Sequence, residues 1–144
     1  MRKIGMFIDL ANVYISVKQK YKRKVDYKKY WDFVADLGTI SYAIAYGTQV
    51  RNAAKDFRSM LQRFGYETKY KDPGSWAVGM TVDAMKYSDI DMLVLGSNDK
   101  DFLPLLEFYS NSGKTVLILA SQIPDTLKAY QAIEIPESLL EIKT

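Results

Sequence analysis

The sequence contains neither cysteine nor histidine. Without thiols there is no disulfide framework and no thiolate metal site, and without imidazole the chain lacks the usual zinc ligand and the usual general base. Any metal or proton chemistry must therefore run on oxygen ligands. Long apolar runs are missing too. None approaches the roughly 20 residues that span a bilayer, and the opening Met1–Leu10 is too short, and too broken by Asp9, for a signal peptide. These absences lead us to expect a cytoplasmic protein with no membrane partner. Gly-rich phosphate loops are also absent. Neither GxGxxG nor GxxxxGKS/T follows the first strand-like segment, which argues against a dinucleotide-cofactor domain.

What is present is the composition of a folded globule. Of the 144 residues, 48% are hydrophobic and 26% charged, enough for one core and a single domain over residues 1–144. The net charge of +3 is mildly basic and suits a polyanionic partner.

Short runs rich in β-branched and aromatic residues alternate with amphipathic stretches. Lys3–Asp9 (KIGMFID), Thr39–Tyr46, Tyr66–Tyr70, Met92–Leu95 and Thr115–Leu119 read as strands, with a brief sixth at Ala132–Ile135. Between them, Asp26 is placed to cap a helix whose Tyr30, Phe33, Val34 and Leu37 share one face. Asn52–Phe64, Val78–Tyr87 and the segment carrying Phe102, Leu105, Leu106 and Tyr109 read as further helices, and Asp72-Pro73-Gly74 as a turn. The alternation predicts an α/β fold with right-handed crossovers, a mainly parallel sheet and helices on both faces.

Open parallel sheets bind ligands beyond the carboxyl ends of their strands. Two predicted strands exit onto acids, the first at Asp9 and the fourth at Asp99 and Asp101. If those strands are neighbours, three carboxylates converge, and a hard divalent cation is the usual remedy for their repulsion. Mg2+ or Mn2+ is favoured over zinc because every available donor is oxygen. Ser97 and the backbone N–H groups around Asn98 are placed to position a phosphate at the start of the next helix. Each acid also has a plainer reading as a helix cap, Asp99 for the helix containing Phe102.

RNA contacts would draw on the basic residues Lys18, Lys20, Lys22 and Arg23 after the first strand, and Arg51 after the second. Tyr14 and Trp76 offer flat surfaces for bases, although a solvated charged face and core aromatics are the plainer reading. Helical surfaces rich in Tyr, Phe and Met make a homodimer a further expectation.

FIDLAN (Phe7–Asn12) and LVLGSNDKDFLPLL (Leu93–Leu106) resemble the two signature segments of the NYN family of PIN-like, or LabA-like, domains, written FIDxxN and SGDxDFxPL. The Gly113-Lys114 pair before the last long strand is similar to the family pattern too. The resemblance covers nearly the whole chain in element order. It implies a Rossmann-like PIN/NYN three-layer sandwich of sheet order 3-2-1-4-5, with the first and fourth strand ends side by side. It further implies a ribonuclease, a hydrolase that cleaves RNA phosphodiesters with magnesium or manganese. Carried over, Asp9 would ligate the metal and Asn12 would assist it or touch the substrate phosphate. Asp99 would be the second ligand, and Asp101 a further ligand or a water-orienting group.

One departure stands out. Where the family carries KxxDVxxxxD before the fourth strand, this chain has the second acid as Asp83 but Ala77 at the first position. Alanine cannot ligate a cation, so the site is either natively weakened here or disabled by an engineered Asp→Ala change. Asp83, further along the helix, reads as facing away or as supporting the site from behind. Ala77 therefore keeps open an alternative: a non-catalytic RNA-binding or protein-interaction module on the same fold.

Overall fold

A six-stranded, all-parallel sheet organises the chain: β1 (Lys3–Asp9), β2 (Thr39–Thr48), β3 (Glu67–Lys71), β4 (Met92–Gly96), β5 (Thr115–Ala120) and β6 (Ala132–Glu134). Their order is β3-β2-β1-β4-β5-β6, the expected 3-2-1-4-5 arrangement extended by one short strand. The computed structural model describes residues 1–48, 53–71 and 74–142. Arg51 lies outside them, as do Asn52 and the Asp72-Pro73 part of the expected turn.

Helices α1 (Leu10–Tyr21), α2 (Tyr27–Ala35) and α3 (Ala53–Phe64) cover one face, and α4 (Ala77–Ala84) and α5 (Leu103–Asn111) the other. The result is the expected three-layer α/β sandwich. Asp26 caps α2 as its sequence position suggests, accepting the N–H groups of Lys28 and Lys29 at 3.0 and 3.2 Å. Such a cap stabilises a helix by about 1 kcal/mol.

β1 is central, and every residue from Ile4 to Asp9 is buried. Its alternation feeds two cores. Ile4, Met6 and Ile8 pack beneath α1–α3, whereas Phe7 joins Ile44, Leu93, Leu105 and Leu106 beneath α4 and α5. Side chains of this size stabilise by roughly 1.5–3 kcal/mol each when fully buried, which makes this strand the anchor of whatever follows it. Register then sets the site. Phe7 pairs with Ile44 and Asp9 with Tyr46, while Tyr46 pairs with Lys69 on β3. Because strand side chains alternate faces, Asp9, Tyr46 and Lys69 form a row on the α4 side of the sheet, at the carboxyl ends of the strands. On the other flank Ile8 pairs with Gly96, so the chain leaves β1 and β4 side by side. Among the described residues no helix is long and apolar enough to cross a membrane.

Candidate active site

Asp9 is both the last residue of β1 and the cap of α1, its Oδ1 accepting the Asn12 N–H at 3.4 Å. Only 8% of it is exposed. Burial pushes its carboxyl above the usual range; the Asn12 N–H opposes this, the charge of Asp99 pushes it further up, and Lys71 pulls it back. The charge of Asp99, beyond the exit of β4, thus reaches Asp9 at the exit of β1.

The loop after β4 is held by its own polar residues. Ser97, fully buried, accepts the Asp99 N–H on Oγ at 3.1 Å, and Asp99 accepts the Asp101 N–H on Oδ1 at 2.9 Å, capping the 3-10 turn Lys100–Phe102. The helix-cap reading of Asp9 and Asp99 is therefore correct as well, since one carboxylate serves a cap through a single oxygen. Asn12 donates from Nδ2 to Oδ1 of Asn98 at 2.8 Å and accepts the Asn98 backbone N–H at 3.0 Å. Asn98 in turn donates to the carbonyls of Ser121 and Gln122, at 2.8 and 3.2 Å, where β5 ends. Three strand exits are tied together by two asparagine side chains. Both polar atoms of the Asn12 amide meet Asn98, so this side chain ties the exits of β1 and β4 together.

Asp101 is exposed and lines a cleft of about 380 Å³ with Ser75, Ala77, Thr81 and Pro104. Ala77 opens α4, its N–H bonded to Ser75 Oγ at 3.1 Å, so the residue standing at the family's acid position borders the same cleft as Asp101. Among the described residues no three acids form a group able to hold an ion by themselves. The expected convergence of Asp9, Asp99 and Asp101 thus reduces to the Asp9–Asp99 pair with Asp101 towards α4, because the turn that Asp99 caps carries Asp101 outward. A Mg2+-like ion needs only one or two carboxylates, keeping waters and taking substrate phosphates for the rest. The all-oxygen donor set fits such an ion.

Asp83 is not part of this group. It accepts the Tyr46 hydroxyl at 2.5 Å and Lys69 Nζ at 2.7 Å, with Lys86 at 4.0 Å. Burial opposes its charge, but the hydrogen bonds from Lys69 and Tyr46 prevail and hold its carboxyl below the usual range. Its role is to fasten α4 to β2 and β3. Trp76 does similar work: Nε1 donates to the Gly47 carbonyl at 2.8 Å, and its ring meets Tyr46 edge-on and Lys71 Nζ at 4.4 Å. Both side chains make internal contacts that hold α4 to the sheet, with Trp76 half-buried.

The basic residues after β1 divide. Lys18 is exposed beside Tyr14, donating to its hydroxyl at 3.1 Å, and Lys22 is exposed in a left-handed turn. Lys20 pairs with Glu134 at 2.5 Å, and Arg23 donates twice to the Glu141 carbonyl at 3.1 and 2.8 Å. Two residues escaped the sequence reading. Lys71 ends β3 and acts on Asp9, while Ser121 follows β5 with a fully buried hydroxyl that has no partner among the described residues. Applying the strand-exit argument to every strand, not only to those ending in acids, would have found both.

The sequence pattern of the NYN domain family matches residues 3–135. No curated protein matches the chain. The crystal structure of VPA0982, a protein of unknown function from Vibrio parahaemolyticus, is similar to this one, with a TM-score of 0.90 and 25% sequence identity over 97% of this chain and 96% of that one. With its signature segments at the exits of β1 and β4 and the family pattern running from β1 through β6, the chain belongs to the NYN domain family and carries its PIN-like nuclease fold.

Proposed function

We propose that the chain is a metal-dependent ribonuclease-type hydrolase of RNA phosphodiesters. The observation that carries this reading is geometric: Asp9 and Asp99 stand at the adjoining exits of β1 and β4, which the Asn12–Asn98 clasp holds together. Carboxylates brought together repel one another, and a cation between them relieves that cost. Asp9 and Asp99 would hold Mg2+ or Mn2+, which when bound supplies charge neutralisation at a phosphoryl oxygen and an activated water, so that no histidine base is needed. Around that point the chain's residues have separate tasks. Asn12 and Asn98 would fix the two acids; Asp101, on the rim, would orient water; Lys71 would add positive charge beside Asp9. Lys18 and Lys22, both exposed, are available to phosphates further along a strand.

The second reading, an RNA-binding or protein-interaction module without catalysis, is favoured by one observation. Ala77 supplies no ligand on the wall that Asp101 shares. Cleavage of labelled RNAs in Mn2+ separates the two, run with the parent protein, Asp99→Asn and Ala77→Asp. The nuclease reading expects cleavage from the parent or from Ala77→Asp, and none from Asp99→Asn. Inertness of both the parent and Ala77→Asp across unpaired and structured RNAs leaves the binding module.

A further inference from the structure

Two lysines of β3 stand on the α4 side of the sheet. Lys69 shares a row with Asp9 and Tyr46, and Lys71, two residues on, has its side chain on the same face, one step nearer the strand exits. Their charges are used differently. Asp83 neutralises Lys69 at 2.7 Å, whereas among the described residues no carboxylate pairs with Lys71.

The Lys71 ammonium is nonetheless held in place. Nζ donates to the Ser75 carbonyl at 2.6 Å and lies 4.4 Å from the centre of the Trp76 ring, which is itself fixed through Nε1 on the Gly47 carbonyl. The same cation acts on the Asp9 carboxyl and pins a residue of the cleft that Ala77 shares with Asp101. An ammonium has three N–H groups, and Ser75 takes one of them. Lys100, between Asp99 and Asp101 in the chain, is exposed and has no such anchor among the described residues.

Resting on the reading of the acidic site as the place of phosphodiester hydrolysis, we propose that Lys71 is the catalytic acid of that reaction. As a water oxygen bonds to phosphorus, the phosphorus–oxygen bond to the leaving sugar breaks, and Lys71 Nζ gives one proton to that oxygen. The proton shed by the water goes to solvent, and solvent recharges the amine. An alkoxide leaves poorly unless it is protonated as it departs, and the chain has no histidine for the task. A positioned, unpaired ammonium beside the acids fills that role.

A substrate whose leaving oxygen is replaced by sulfur tests this, because a thiolate departs without a proton. Labelled RNAs carrying sulfur at one or the other bridging position of a single phosphodiester are compared with the all-oxygen RNA, in whichever of the parent and Ala77→Asp cleaves in Mn2+. On the oxygen RNA, Lys71→Met should lower kcat by about 100- to 10,000-fold, the usual span of a general acid, with KM little changed. On the RNA cleaved at its sulfur bond the same variant should stay within about tenfold of the unsubstituted enzyme. Lys71→Arg, which keeps the charge but does not release a proton, should show the same contrast, and it serves if Lys71→Met loosens α4. Calorimetry should find Mn2+ affinity no weaker in Lys71→Met, since a positive charge near Asp9 has been removed. Equal losses on oxygen and sulfur RNAs, which a merely structural lysine would give, overturn the proposal, as does no loss on either or a drop in Mn2+ affinity. Inertness of both the parent and Ala77→Asp removes the hydrolase reading and the acid with it, whereas cleavage without the sulfur contrast removes Lys71 alone.

Discussion

Asn12 and Asn98 hold each other by two hydrogen bonds, side chain to side chain at 2.8 Å and side chain to backbone at 3.0 Å, and so join the exits of β1 and β4. Asn12→Ala would leave the Asn98 N–H unpaired in a partly buried loop, a loss of about 1–3 kcal/mol. Thermal unfolding should show that loss together with weaker Mn2+ affinity, because Asp99 is then freer to swing away from Asp9. Unchanged melting and unchanged Mn2+ affinity would remove the clasp from the account.

Asp9→Asn should stabilise the metal-free protein near neutral pH. The folded-state pKa of Asp9 is raised above 3.8 by burial and then by Asp99, so its charge is a penalty that appears as pH rises through the unfolded and then the folded value. Asparagine caps a helix as well as aspartate does, so the substitution removes the charge and keeps the cap. Each kcal/mol recovered raises the melting temperature of a domain this size by roughly 2–4 °C. In acid, where both forms are neutral, the two proteins should melt together. Mn2+ should raise the melting temperature of the parent and not of Asp9→Asn; equal Mn2+ shifts in both would exclude Asp9 as a ligand.

Ala77→Asp should raise Mn2+-dependent cleavage about tenfold or more, a barrier reduction on the order of 1.4 kcal/mol. The new carboxylate would stand in the first turn of α4, whose cap position Trp76 makes no side-chain cap bond, and a negative charge there gains about 0.3–1 kcal/mol from the helix dipole. Ala77 is buried, so the charge should lower the melting temperature in metal-free buffer and Mn2+ should restore it. If cleavage stays at the parent level while the protein remains folded, the residue at this position does not limit the reaction.

Asp83→Asn should change the acid limb of the stability curve. Lys69 and Tyr46 hold the Asp83 carboxyl below 3.8 against the cost of burial, so its contribution is complete above the unfolded value and fades as pH falls through the lower, folded one. With a side chain 13% exposed, its loss should cost about 1–3 kcal/mol at neutral pH. The gap from the parent should narrow in acid. A constant gap across pH would assign the effect to packing and not to charge. RNA cleavage per folded molecule should be unaffected, since Asp83 stands outside the acidic pair.

Much of this was legible before any coordinates. The run KIGMFID is apolar and ends in an acid, and it became β1 residue for residue, because burial on both faces of a central strand demands an unbroken apolar run. The alternation of strand and helix, the cap at Asp26 and the two acidic exits followed from local chemistry in the same way. FIDLAN and SNDKDF also pointed to two strand ends that lie side by side. Which atoms meet at those ends was decided elsewhere. Asn12 turned to Asn98 and Asp83 to Tyr46 and Lys69, while Trp76 settled on the Gly47 carbonyl. Ser97 and Asp99 used their oxygens within the loop, which set Asp101 towards Ala77 and away from a three-acid cage. The reason is physical. Periodicity and capping are properties of neighbouring residues, so the sequence determines them by itself; the partner of a polar side chain depends on strand order, register and the helix packed above, and only the folded chain brings those together.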